Sequence, residues 1–416
     1  MSERITISTR ARLLALLAPL LLAATSCTAD DSRSSTQSLS GRLGEHHGLP
    51  VLELWGTPEQ AGYAQGYLLA EQIIEMLDGF MLDPKIMADP AVYENVLLPA
   101  VRRQFSWPPA YEAELSAIAR GMRDRLGPEK LRSAILDRPL QLEDLMAANA
   151  LADWFGMMCS TFSAWGPLTA DGRTLTARNL DFPNTTSMSR GQIVIIRHAH
   201  EKTPAWIGVA WPATIGAYTA MNASGVTMLI HDANGMAPSE VLGFTPRSLT
   251  LRTALESATA ENYPGDVQRV LASHRVLIGN NIHVSGPRAA DRQPAVVFEY
   301  DANTKDHGVT ARTAAGDTDV LESGLWCTNH LRLRRTPREC WRYDRLRQGL
   351  RRVADGGEKL TPQSALALIR DVRQEITLHS VCLVPDRKIM YVLIPAISEN
   401  VVEFDLDEWL KRPKNR

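Results

Sequence analysis

At Cys159 the periodicity of the chain changes, and this change limits the folds open to it. Upstream, apolar residues recur at helical spacing. Gly56-Thr-Pro opens a long amphipathic helix through Gln72, Ile73 and Leu77, with Thr57 as N-cap and Pro58 in the first turn. Further helical patterns cover 91–104, 111–125 and 142–154, and a short strand at 50–55 precedes them all. Downstream, short β-rich runs bounded by Gly, Asn, Asp and Pro predict strands at 161–165, 174–177, 192–198, 205–209, 217–221 and 226–231. Helices return at 249–257 and 267–274. Strands follow at 282–285, 295–300 and 325–328, then helices at 339–353 and 362–372 and a last strand pair at 378–384 and 389–394.

Strands clustered between helix pairs predict an α+β fold, with two stacked sheets and helices outside. The 416 residues suffice for one large domain or two ordinary ones, and no internal repeat divides them. Net charge is −2, with basic residues spread along the chain, so no stripe marks a nucleic-acid partner. The one dense basic stretch, 332–351, is interleaved with Leu, Trp and Tyr as a solvated helix face would be.

The start reads as a targeting segment. Arg4, Arg10 and Arg12 precede an apolar run over 13–24, too short to span a bilayer. It ends in Ala24-Thr25-Ser26-Cys27, so that 1–27 resembles a bacterial lipoprotein signal, which implies that Cys27 is lipidated and becomes the mature N-terminus. Ordinary signal cleavage, with Cys27 incidental, is the alternative. Either way the protein is expected outside the cytoplasm, in the cell envelope (periplasmic or outer surface), with the lipid making the membrane a partner. Residues 28–48 are rich in Ser, Thr, Asp and Gly and read as a flexible tether that leaves His46 and His47 exposed.

The remaining cysteines are Cys159, Cys327, Cys340 and Cys382. An exported protein permits disulfides, and Cys327 and Cys340 could close a short loop. Neither CxxC nor HExxH occurs, so no metal site is expected.

The chemistry gathers in the stretch that begins Met158-Cys159-Ser-Thr and ends Arg178-Asn-Leu-Asp181-Phe182. Asp171-Gly172 marks a tight hairpin turn that folds the strand from Cys159 back on 174–181. Arg178 and Asp181 then return to the cysteine end. A thiol near an arginine is expected to ionise more readily, and a carboxylate can hold a protonated amine.

These residues resemble the N-terminal-nucleophile (Ntn) hydrolases of the group that includes penicillin acyltransferases, penicillin V acylases, bile salt hydrolases and acid ceramidase. The likeness also rests on Met221-Asn222-Ala-Ser-Gly225, Cys327-Thr-Asn329-His330, Gly56-Thr-Pro through Gly66, and Thr377-Leu-His-Ser380 with Asp386 and Tyr391. The resemblance implies a four-layer αββα sandwich, with a mainly helical segment (49–158) cut from a catalytic chain (159–416) at Met158–Cys159. It implies that the freed α-amine of Cys159 is the base for its own thiol, passing through a thioester, with no cofactor. It assigns Asp181 to the α-amine, Arg178 to the thiolate or substrate, and Asn222 and Asn329 to hydrogen bonds on the oxyanion and amine. A late arginine of the group matches Arg342 or Arg345. The implied substrate is a small linear N-acyl amide, hydrolysed or used for acyl transfer. The long segment before Cys159 favours the autoproteolytic branch over bile salts.

Two rivals remain: a Cys-His-Asn thiol protease using Cys159 with a late histidine, and a non-catalytic ligand-binding surface lipoprotein on the same scaffold. Singly, Cys159 reads as a core cysteine, Asn222 and Asn329 as turn residues, and Asp181 as a cap before Pro183. His231, His330 and His379 read as structural. The nine tryptophans suit an apolar acyl pocket, although scattered tryptophans are usually core.

Overall fold

The computed structural model describes residues 39–83, 86, 89–237, 241–302, 308–317, 319–336 and 338–414. The expected signal peptide 1–27, the lipidation site Cys27 and the tether up to residue 38 lie outside the described residues. Among those described, no helix is long and apolar enough to cross a membrane.

In chain order the strands are β1 (Gly41–His46), β2 (Leu49–Leu54), the two-residue pair β3 (Arg132–Ser133) and β4 (Arg138–Pro139), and β5 (Met158–Ala164). Next come β6 (Leu175–Asp181), β7 (Ile193–Arg197), β8 (Trp206–Ala210), β9 (Thr219–Asn222), β10 (Thr227–Met236) and β11 (Ile278–Ser285). The last are β12 (Ala295–Tyr300), β13 (Val309–Arg312), β14 (Gly324–Cys327), β15 (Thr377–Val384), β16 (Ile389–Leu393) and β17 (Val402–Asp405). They form a nine-stranded sheet, β1-β2-β7-β8-β9-β10-β11-β12-β13, and a six-stranded one, β14-β5-β6-β15-β16-β17. Neighbours run antiparallel except β2 and β7.

Alternation along each strand sorts residues between two faces. On the large sheet Val51, Val194, Ile196 and Leu229 point inward to meet Val381, Leu383, Met390 and Phe404 of the small sheet. The outward set, including Leu52, Ile195, Met228 and Ile230, is covered by the helices Pro58–Leu68, Ala70–Met76, Leu142–Trp154 and Arg247–Ser257. Phe162, Ala177 and Cys382 on the far face of the small sheet pack under Trp341–Ala354 and Pro362–Arg370. The order is helix, sheet, sheet, helix: the αββα layering expected of the sequence.

Around β5, β6, β10 and β11 the space between the sheets is polar. Thr161 bonds His231 and Ser163 bonds His283, each at 2.7 Å, and Thr176 bonds Ser285 at 2.7 Å. A charged side chain can be satisfied there, and Arg178 lies in it.

The stretch before Cys159 is more than a helical cover. Its strand β2 pairs in parallel with β7, and β1 extends the same sheet. This corrects the tether, whose last residues are strand. His46, expected free in solvent, is half-buried against Phe404 and Trp409, while His47 is exposed. Thr57 caps its helix through a reciprocal capping box with Gln60. In the Gly62-Tyr-Ala-Gln-Gly66 segment the glycines are there for close approach. A Cβ on Gly66 would overlap the Ile118 carbonyl, and one on Gly62 would reach the Glu114 carbonyl, so the helix meets Pro109–Leu126 backbone to backbone.

Candidate active site

Cys159 is the second residue of β5 and is fully buried. Pairing of β5 with β6 sets Cys159 opposite Leu180, Thr161 opposite Arg178 and Met158 opposite Asp181, so the return strand carries both charged groups to the cysteine end. Three different groups of Cys159 then have three different partners. The thiol accepts from Arg178 Nη2 at 3.2 Å. The amide N–H donates to Asn329 Oδ1 at 2.8 Å, and the carbonyl accepts from Arg342 Nη1 at 2.8 Å.

Asn329 reaches both sides of Met158. Its Oδ1 takes the Cys159 N–H while its Nδ2 donates to the Met157 carbonyl at 2.8 Å and to the Asp232 carbonyl at 2.8 Å. The residue before Cys159 is thus bridged by one amide side chain, while its own side chain is exposed. Arg342 enters from the first turn of Trp341–Ala354 and also bonds Ser160 Oγ, Asn329 Oδ1 and Asp181. Arg345, the other late arginine, is half-exposed and pairs with Asp371 at 3.7 Å.

Arg178 is held by two carbonyls, those of Tyr218 and Ile230. Asp181 accepts from Thr377 Oγ1 at 2.6 Å and Gln374 Nε2 at 3.2 Å. Burial raises its carboxyl above the usual range, against Thr377 and Arg342. The thiol behaves contrary to the sequence expectation. Burial pushes Cys159 above the ordinary thiol value, and the neighbouring Arg178 only offsets part of this. The reason is desolvation: in the uncut chain no water reaches the sulfur.

Asn222 is elsewhere. Its Nδ2 donates to the Leu255 and Ala258 carbonyls and its Oδ1 accepts from Ser224 and Val226 N–H, which uses the side chain up in tying the β9–β10 turn to the end of a helix. It is a turn residue and has no contact with Cys159. His231 bonds Thr161 and the Asn281 carbonyl, His379 bonds Thr219 and Gln192, and His330 bonds Thr328. Burial takes His330 down to about 4 and His231 and His379 well below the ordinary value, so these rings are neutral. Cys327 and Cys340 are free thiols: Cys327 lies against His283 at 3.5 Å and Cys340 against Thr328 Oγ1 at 3.5 Å. Among the described residues no group of His, Cys, Asp and Glu is placed to hold a metal.

Sequence reading missed Asp232. This last residue of β10 before a register shift, on the helix-facing side with Met228 and Ile230, accepts the Met157 N–H on Oδ2 at 2.5 Å and pairs with buried Arg247 on Oδ1. Arg247 also binds the Ala152 carbonyl and Asn280, and its amide donates to Asp153. One ion pair therefore ties both ends of residues 152–157, the link that leads to Cys159. Beside Met157 a pocket of about 20 Å³ is walled by Met76, Leu151, Phe182, Trp211 and Tyr218.

No protein-family model matches the chain, and no curated protein matches it. Among solved structures it is similar to the N-acylethanolamine-hydrolyzing acid amidase (NAAA) ortholog of Caenorhabditis elegans, at 17% identity and TM-score 0.41 over 55% of this chain and 93% of that one. A mutant conjugated bile acid hydrolase from Clostridium perfringens shares 12% identity, TM-score 0.41, over 60% and 93% of the two chains. Penicillin V acylase from Agrobacterium tumefaciens shares 11%, TM-score 0.40, over 60% and 87%.

Proposed function

We propose that the chain is an Ntn amidase of the envelope, exported and lipid-anchored through Cys27, that cuts its own Met158–Cys159 bond and then hydrolyses N-acyl amides. The observation that carries this reading is the separate side-chain partner on each of the thiol, amide nitrogen and carbonyl of Cys159. A cysteine that only fills the core needs none of them.

In the first reaction the Cys159 thiol gives up its proton and attacks the Met158 carbonyl carbon. The C–N bond breaks, the nitrogen takes a proton and becomes the α-amine, and Met158 is left as a thioester. Water then hydrolyses that thioester to the Met158 carboxylate and the free thiol. Arg178 stabilises the thiolate as it forms, and the Asn329–Asp232 clamp on Met157 holds the bond against the sulfur.

In the second reaction the α-amine takes the thiol proton and the thiolate attacks a substrate amide carbonyl. Asn329 Nδ2, released from the Met157 carbonyl, donates to the oxyanion. Collapse expels the amine, which leaves with the proton held by the α-ammonium. Water, deprotonated by the same α-amine, converts the acyl thioester to a carboxylic acid. Asn329 Oδ1, held in turn by Arg342, keeps the amine oriented, and the Asp181 carboxylate offsets its charge as it changes. An amine acceptor in place of water gives acyl transfer.

The test uses the purified protein with a panel of N-acyl amides, released amine being measured. The wild-type protein is expected to turn over at least one class, and Cys159→Ala to remain one chain and be inactive. Turnover by Cys159→Ala equal to wild type sinks the proposal.

A further inference from the structure

Two cavities meet at one side chain. The pocket beside Met157 is apolar, and its polar lining atoms are occupied: the Thr214 hydroxyl bonds the Trp211 carbonyl, and the Tyr218 hydroxyl faces Ser248. A second, open cleft of about 330 Å³ lies between the β1–β2 hairpin and helix Ala70–Met76, lined by Leu43, Leu69 and Ile193 with Glu75 and Arg190 at its rim. Met76 lines both. It is the last residue of its helix, is itself buried, and stands directly before a π turn, Leu77–Met81. Two of the pocket's walls stand beside the nucleophile: Met157 is two residues before Cys159, and the Tyr218 carbonyl holds the Arg178 guanidinium that bonds the Cys159 thiol.

We propose that Met76 sets the length of the acyl chain this site accepts, an inference that rests on the amidase reading above. Cutting before Cys159 frees the link that carries Met157. A substrate acyl group bound at Cys159 takes the volume that the Met157 side chain vacates, the apolar space two residues from the sulfur and walled by Tyr218. Nothing on these walls offers a free hydrogen-bond partner, so a straight hydrocarbon fits and a polar acyl group loses its hydration without return. The chain end then abuts Met76. Beyond it the outer cleft has room for more carbons, and Met76 is the residue whose side chain lines both. An unbranched, flexible methionine makes a wall that a shorter residue removes and a ring reinforces.

The experiment measures kcat/KM for the processed enzyme on amides of one amine with acyl chains from butanoyl to hexadecanoyl. Each methylene newly buried is worth about fourfold. Met76→Ala should therefore raise the ratio of hexadecanoyl to butanoyl turnover by roughly tenfold or more, and Met76→Trp should lower it. Met76→Leu, the mildest change, should shift it in the direction of alanine and serves if the alanine variant does not accumulate. Met188→Ala is the contrast, because Met188 lines the apolar pocket and not the cleft, and should move the whole series without tilting it. Self-cleavage and a thermal melt report folding in every variant. One length profile shared by wild type and all three Met76 variants overturns the inference and leaves the amidase reading standing. No turnover of any N-acyl amide by processed wild type overturns both.

Discussion

Two asparagines that look alike in the sequence part company in space, and the difference is in what faces them. Asn222 meets the last carbonyls of a helix and two turn amides, whereas Asn329 meets the main chain on either side of Met158. Both partners of Asn329 lie about 170 positions away in sequence, |i−j| being 170 and 172. Hence Asn329→Ala should slow self-cleavage by releasing the clamp around Met158, and should lower amide turnover by the cut enzyme on the order of 100-fold, the usual cost of losing an oxyanion donor. Asn222→Ala should lower thermal stability while the fraction that folds still cuts at its normal rate, followed by gel densitometry. Equal slowing in both would return Asn222 to the site. Asp232 was illegible for the same reason: its partner Met157 is 75 positions away and an aspartate at a strand end has many ordinary uses. Cys159, Arg178 and Asp181 were legible because a single hairpin register brings them together.

Asp153 offers a test by pH. Burial raises its carboxyl to about 7, with Arg247 opposing. In the unfolded chain it titrates near the ordinary value of about 4, so the folded chain holds the proton more tightly. The stability linked to this group is complete below about pH 4 and is lost as pH rises to about 7. Asp153→Asn stays neutral and removes that slope. Melts of uncut Cys159→Ala protein with and without Asp153→Asn should coincide near pH 4, and the double variant should be the more stable at pH 8. A constant offset across the range contradicts the assignment.

At the scale of elements, the sequence was read well where one element explains itself. The helix from Pro58 begins where Thr57 and Gln60 can cap each other, and the predicted helix at 142–154 has those bounds in the structure. It was read poorly where an element exists only through its neighbour. Strand β1 has the polar composition of a tether and becomes strand because β2 offers it a free edge. Strand β13 likewise follows from pairing with β12. The contact of helices Pro58–Leu68 and Pro109–Leu126 depends on glycines, because backbone meets backbone there. Gly66→Ala should cost about 1–3 kcal/mol from overpacking, although alanine is the better helix former. Urea unfolding measures it, and an unchanged or raised midpoint would show that the helices do not touch as described.

For the whole molecule the consequence is that cutting before Cys159 does not separate two domains. The part before the cut supplies β1 and β2 to the nine-stranded sheet and much of the helical layer over it. Among the described residues its apolar faces are buried against the later part of the chain, and salt does not weaken burial of that kind. The two chains should therefore travel together through size exclusion in high salt and part only in denaturant. An anchor at Cys27 would then hold the catalytic chain to the membrane by packing alone. The measurement that tests the central claim most directly is an intact mass spectrum, under denaturing conditions, of the single native peak that carries the activity. The account predicts two masses, one of them belonging to a chain that begins at Cys159. A fully active peak containing only uncut chain, with residues 50–158 still joined to Cys159, would contradict it.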